Sequence, residues 1–180
     1  GLANSTDGLY AWRKGKLLGY TWKGDRYVHT NTWKLRGIPS TVYANAEALF
    51  VGYAFGDVDI FDKKKKASTN INWMEMERSP VTAIAPGPAK IVAVGFANGV
   101  VGVWNSWNGT RVMTRSLHGS VRSLHFAQRS LHAFSQLSDT FRWDLSPLYL
   151  KWCDLLKRVW RHIPIAINLR RIVRQPTPKK

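Results

Sequence analysis

One segment recurs along this chain at intervals of about forty residues. Three stretches align on it: Val51-Gly52-Tyr53-Ala54-Phe55-Gly56-Asp57-Val58-Asp59-Ile60-Phe61-Asp62, then Val94-Gly95-Phe96-Ala97-Asn98-Gly99-Val100-Val101-Gly102-Val103-Trp104-Asn105, then Ala133-Phe134-Ser135-Gln136-Leu137-Ser138-Asp139-Thr140-Phe141-Arg142-Trp143-Asp144. A unit of this length holds about four short strands and buries its faces against the units before and after it. Such an array makes an extended binding surface more readily than a catalytic pocket.

Each copy has the same internal order. Ile91-Val92-Ala93-Val94-Gly95 is an apolar, β-branched run that ends at Asn98-Gly99, and a second run follows from Val100 to Trp104. Two such runs around Asn-Gly predict a β-hairpin. A third run lies upstream, Val81 to Ala85, closed by Pro86-Gly87-Pro88. The equivalents are Thr41 to Ala44, Leu49 to Gly52 and Val58 to Phe61 in the first copy. In the last they are Val121 to Phe126, Leu131 to Phe134 and Thr140 to Trp143. Gly52 and Gly95 are expected to let neighbouring backbones approach closely.

On these residues the chain resembles the WD40 family. The resemblance rests on Trp143-Asp144-Leu145, on the weaker pairs Trp104-Asn105 and Phe61-Asp62, and on His118-Gly119-Ser120-Val121 leading into the last copy. Ser5-Thr6-Asp7-Gly8-Leu9-Tyr10-Ala11-Trp12, with Gly15-Lys16-Leu17-Leu18, resembles the tail of an earlier unit. The resemblance implies an all-β fold of propeller blades with Phe61, Trp104, Trp143, Asp144 and His118 as blade anchors. Six residues before the anchors, where the family favours a structural Asp, this sequence has Phe55, Asn98 and Leu137. A buried His–Asp network is therefore not expected at those positions. Closed propellers have at least four blades, so three copies and a fragment imply an incomplete ring held in a larger assembly. The missing blades would come from residues outside this sequence or from another chain; otherwise the array stays open and docks on partners.

Charge is the second constraint. The formal net charge is +16, from 27 Lys and Arg against 11 Asp and Glu. A surface of that sign recruits polyanions through phosphate contacts and counterion release, although excess lysine also serves solubility. The positive residues concentrate in two places. Lys63, Lys64, Lys65 and Lys66 follow Phe61-Asp62 in an expected turn, where they are either a solvated loop or a sequence-independent phosphate contact. The other place is the end of the sequence, where nine basic residues stand against Asp154 in residues 151–180.

That terminal stretch departs from the β pattern, which divides the sequence into blades over 1–145 and a basic α-helical extension over 146–180. Ser146 followed by Pro147 predicts a helix start. Trp152, Leu155, Leu156, Val159 and Trp160 recur at helical spacing, with Lys151, Lys157, Arg158 and Arg161 on other faces. The stripe packs on the last blade in the plainest reading, leaving the basic face open to RNA, an anionic membrane surface or an acidic protein groove. Pro164 ends the helix. A second, short helix is expected over Ile165 to Arg174, carrying Arg170, Arg171 and Arg174, before a disordered tail from Gln175.

No motif of catalysis is present: there is no phosphate-binding GxxxxGK[ST] loop, no HExxH and no GxSxG. Neither a cofactor nor a metal is expected. His29, His118, His125, His132 and His162 are scattered, and His125 with His132 lacks a Cys or carboxylate cluster to complete a metal site. Cys153 alone excludes an internal disulfide and fits a reducing compartment. Asp57 and Asp59 read as an exposed turn pair. Trp22, Trp33, Trp73 and Trp107 lie outside the three anchor positions, available for packing or for stacking on bases. The composition fits a non-catalytic scaffold subunit of a large ribonucleoprotein, with a mitochondrial ribosome as one setting and the cytoplasm or nucleus as others. The alternative is a protein-binding adaptor or cytoskeletal scaffold without nucleic acid.

Overall fold

The computed structural model describes residues 1–5, 8–64, 68–71, 79–150, 154, 165–168 and 171–174. They fall into two compact units, Gly1–Trp143 and Asp144–Lys180.

The first unit is a succession of antiparallel sheets, each a meander in chain order. Sheet 1 contains β1 (Leu2–Ser5), β2 (Gly8–Arg13), β3 (Lys16–Lys23) and β4 (Arg26–Lys34). Sheet 2 contains β5 (Pro39–Ala44), β6 (Ala48–Tyr53), β7 (Val58–Asp62) and β8 (Ser68–Ile71). Sheet 3 contains β9 (Val81–Pro86), β10 (Ile91–Phe96), β11 (Val100–Asn105) and β12 (Arg111–Ser116). Sheet 4, three-stranded among the described residues, contains β13 (Val121–Ala127), β14 (Ser130–Ser135) and β15 (Thr140–Asp144). The first strands touch in succession, β1 with β5, β5 with β9 and β9 with β13, so they form the inner edge of the stack. Where the sequence suggested only the tail of an earlier unit, residues 2–34 form a full sheet.

Burial on both faces explains the continuous apolar runs. On β6, Leu49, Val51 and Tyr53 pack toward sheet 1 with Tyr10, Leu17, Leu35 and Phe61. The alternate residue Phe50 packs toward sheet 3 with Val81, Val92, Val94 and Trp104. A strand covered on both sides has no polar face to alternate, and β10 is accordingly buried along its whole length. The tight inter-sheet approach depends on glycine. A Cβ at Gly52 would stand 2.5 Å from Val81 Cγ1, and one at Gly95 would stand 2.3 Å from Val121 Cγ1. Both contacts join the second strand of one sheet to the first strand of the next, as the small residues predicted.

The first strands of sheets 2, 3 and 4 also carry the same bulge, which β1 of sheet 1 lacks. Pro39, Val81 and Val121 oppose Tyr53, Phe96 and Ser135, after which the register skips Ser40, Thr82 and Arg122. A bulge adds local twist and turns its extra residue out of the ladder. Ser40 uses that freedom to donate to the carbonyls of Gly52 and of Val81 in the next sheet, at 3.2 and 2.6 Å.

The second unit differs from the helical expectation. Ser146–Tyr149 is a single 3₁₀ turn with Pro147 near its start and no side-chain cap. The Ser146 amide instead donates to Asp144 Oδ1 at 2.9 Å. Ile165 to Arg174, expected as a helix, contains the hairpin strands β16 (Ile165–Asn168) and β17 (Arg171–Arg174). Ile165, Ile167, Ile172 and Val173 are β-branched, and so short a segment is a poor isolated helix. The expected stripe from Trp152 to Trp160 lies outside the described residues.

Candidate functional site

A meander places its loops at two ends. One end holds the second-to-third strand turns and the crossovers between sheets; the other holds the first-to-second and third-to-fourth strand loops. Their chemistry differs.

At the turn end one hydrogen-bond pattern repeats. Gly56 donates to Tyr53 O and Gly99 to Phe96 O, both at 3.1 Å, and Ser138 donates to Ser135 O at 3.4 Å. These three residues have φ of 94°, 88° and 64°, a region that favours glycine. The turn amides of Ala54, Ala97 and Gln136 then reach the crossover carbonyls of Ile38, Pro80 and Ser120. The tips Phe55 and Leu137, with Ile38 on a crossover, are large apolar side chains left exposed.

Acidic groups at this end are engaged internally. Asp59, expected in an exposed turn pair, is 3% exposed. It lies on β7 on the same face as Phe61, turned toward sheet 1, where Arg36 arrives on the crossover from β4. Arg36 donates from Nε and Nη2 to Asp59 at 2.8 to 3.2 Å, and the Tyr53 hydroxyl donates to Asp59 Oδ2 at 2.6 Å. Arg36 also lies 5.7 Å from the Tyr53 ring centroid and 3.9 Å from Asp57. The bond to Asp59 raises the Arg36 pKa, and burial with the Asp59 bond pushes the Tyr53 phenol well above its usual range. A two-pronged guanidinium bond with a phenol as third donor satisfies a buried carboxylate.

His118 makes the corresponding contact in sheet 4. Its amide and Nδ1 lie 2.9 and 3.1 Å from Asp139 Oδ2, and the bond from that amide leads in lowering the Asp139 pKa. This His–Asp pair is exposed. It uses a carboxylate four residues before Trp143, closer than the six-residue spacing that the family resemblance implied. Asp57 holds the equivalent position in sheet 2, since Tyr53 N and Ser135 N bond Asp57 O and Asp139 O alike.

The opposite end is the lysine end. Lys63 is half-buried, its ammonium bonded to Asn45 O and 5.1 Å from the Tyr10 ring. Lys64 is exposed, its amide bonded to Asp62 Oδ1 at 2.8 Å. Lys65 and Lys66 lie outside the described residues. In sheet 3 the Lys90 ammonium sits 3.6 Å from the ring centroid of Trp107, which is 72% exposed. Exposed Arg129 occupies the first loop of sheet 4.

The remaining site residues divide clearly. Phe61 and Trp104 are buried anchors, Trp143 is half-buried, and Asp144 and His118 are exposed. Lys157, Arg158, Arg161 and Arg170 lie outside the described residues, while Arg171 and Arg174 are the end residues of β17. His125 and His132 face each other across β13 and β14; among the described residues no three His, Cys, Asp or Glu gather in a metal-binding group. Trp22 holds the anchor register without being buried, at 55% exposure. It is the penultimate residue of β3, as Phe61, Trp104 and Trp143 are of β7, β11 and β15, and stepping back one repeat from Phe61 would have found it. It pairs edge-on with Tyr27, ring centroids 5.0 Å apart. No described helix is long and apolar enough to cross a membrane.

No family model and no curated protein matches this chain. Solved structures do resemble it. BamB from Moraxella catarrhalis is 22% identical, with a TM-score of 0.58 over 79% of this chain and 42% of its own. The Cps50 (Swd1) β-propeller domain of Myceliophteria thermophila is 16% identical, with a TM-score of 0.55 over 65% of this chain and 38% of its own. The computationally designed Ika4 protein is 15% identical, with a TM-score of 0.56 over 81% of this chain and 96% of its own. The chain thus spans less than half the length of BamB and of the Swd1 domain. At these identities the likeness concerns fold alone, and with four antiparallel sheets joined inner strand to inner strand, the first unit is an all-β array of propeller-blade type.

Proposed function

We propose that this chain is a non-catalytic scaffold subunit of a large ribonucleoprotein, in which the blades contact protein neighbours and the basic groups contact RNA phosphates. The observation that carries the reading is the formal charge of +16 on 180 residues, far beyond what a propeller adaptor needs for solubility. Lys64 at the lysine end, with Arg170, Arg171 and Arg174 at the C-terminal end of the sequence, are the phosphate-binding groups. An organellar particle such as a mitochondrial ribosome suits a subunit of this charge. A second reading, a protein-binding adaptor, draws support from exposed Ile38, Phe55 and Leu137; apolar tips of this kind suit protein docking.

The test is the salt dependence of affinity for a structured RNA. Binding through phosphates falls steeply as salt rises, by a log–log slope of about 0.7 to 0.9 for each contact. Changing Arg170, Arg171 and Arg174 together to Ala should reduce that slope by about 2 to 3. Binding that ignores both salt and these substitutions would favour the adaptor.

A further inference from the structure

We infer that Trp107 and Lys90 form a stacking platform for an unpaired base of single-stranded RNA, with Lys64 on the same end of the neighbouring sheet as a phosphate contact. This rests on the ribonucleoprotein reading and names the form of RNA the lysine end takes.

Three observations lead to it. Trp107 is 72% exposed, in contrast to Trp104 three residues earlier on the same segment, which is 2% exposed. The backbone that carries it is held in place. The Trp107 amide donates to Asn105 Oδ1 at 2.9 Å, and Gly109 N and Asn105 N close the loop on Asn105 O and Thr110 O, each at 2.9 Å. The Ser106 amide and hydroxyl both donate to Lys90 O, at 2.7 and 2.8 Å. These bonds tie the Trp107 loop to the Ala89–Lys90 turn. A loop already ordered has less backbone freedom left to lose when a base stacks on its indole.

The second observation is the ammonium 3.6 Å from that ring. A lysine there strengthens the platform through its cation–π contact and sets positive charge where the phosphate beside a stacked base lies. Third, the turn that presents it is strained. Ala89 and Lys90 have φ of 55° and 60°, and Ile91 N bonds Pro88 O across them at 3.3 Å. This is the two-residue hairpin arrangement in which Asn-Gly is favoured at the positive-φ positions. A lysine there gives up stability while bringing its ammonium over the indole, and strain of this kind gathers at functional positions. Recognition by stacking tolerates any base, since each has a π-face, and asks for an unpaired strand because a duplex conceals those faces.

The experiment measures binding of the full chain to a fluorescent twelve-nucleotide oligouridylate, to a twelve-base-pair RNA duplex and to a heparin oligosaccharide, for wild type, Trp107→Ala, Trp107→Phe and Lys90→Ala. The inference expects Trp107→Ala to weaken oligouridylate binding about tenfold with heparin binding unchanged, and Trp107→Phe to recover part of the loss. Lys90→Ala should weaken both ligands. Wild-type affinity for oligouridylate in Trp107→Ala, an equal loss toward heparin, or a Phe variant as weak as the Ala variant would overturn the platform while leaving RNA binding intact. Failure of the wild type to bind either RNA would instead overturn the ribonucleoprotein reading itself.

Discussion

In sheets 2 to 4 the two ends of the blades use charge differently, whereas in sheet 1 the turn end exposes Arg13, Lys14 and Lys16. At the turn end, Arg36 and Tyr53 converge on buried Asp59, and His118 meets Asp139. At the lysine end, Lys90 rests on an exposed indole and Lys64 extends into solvent. The same meander generates both, so topology alone does not decide the difference. The crossovers do. They run between sheets only at the turn end and carry Arg36 and His118 to carboxylates in the sheet that follows. Loops at the other end close hairpins within a sheet, and apart from half-buried Lys63 their described cations Lys64, Lys90 and Arg129 are left at the surface.

The largest effect should come from the turn end. Asp59→Ala leaves Arg36 and Tyr53 facing a gap and is expected to cost about 3 kcal/mol of unfolding free energy. Arg36→Ala leaves the buried Asp59 carboxylate with the Tyr53 hydroxyl as its remaining side-chain donor and should cost at least as much, about 3 kcal/mol. Denaturant titration of both variants checks this, and a much smaller loss for Arg36→Ala would show that the carboxylate does not depend on the guanidinium. Tyr53 adds a pH signature. Its folded pKa is raised, so its contribution is complete below the ordinary tyrosine value of about 10 and is lost as pH rises through the raised value. Tyr53→Phe should flatten the alkaline stability profile.

A smaller loss is expected where the sheets meet. Gly95→Val places its Cβ within 2.3 Å of Val121 Cγ1 and should cost about 2 kcal/mol through overpacking. Adding Val121→Ala should restore part of it; no recovery would place the strain elsewhere.

The smallest change should be a gain. Replacing Ala89 and Lys90 with Asn and Gly suits the positive-φ turn and is expected to raise stability by about 1 kcal/mol while weakening RNA binding. A variant that gains stability and keeps its full affinity would separate the lysine end from RNA.

The sequence carried much of the blade architecture because packing on both faces leaves a simple trace. Val81 to Ala85, Ile91 to Gly95 and Val100 to Trp104 read as strands because no charged residue and only one polar one, Thr82, interrupts them. Sheet 1 was harder to read. β4 is largely exposed, and neither Tyr27, His29, Asn31 and Trp33 nor the alternate set Val28, Thr30 and Thr32 makes an apolar face. Asp59 was misplaced because its partner Arg36 lies 23 residues away in sequence, a pairing created by the crossover and invisible to local pattern. His118 was legible as an anchor but its pairing with Asp139 was not, as the four-residue spacing holds the carboxylate two positions nearer Trp143 than expected. Ile165 to Arg174 misled because apolar residues spaced for one helix face also pair across a short hairpin. Trp107 could be marked only as a non-anchor; its exposure and its lysine required the folded loop.

The most direct test of which end meets RNA is ultraviolet cross-linking of the full chain to a single-stranded RNA, followed by peptide mapping. Cross-linked peptides should come from the lysine end, containing Trp107, Lys90 or Lys64, and from the segment that carries Arg170, Arg171 and Arg174. Cross-links confined to the turn end, at Phe55, His118 or Leu137, would contradict the account.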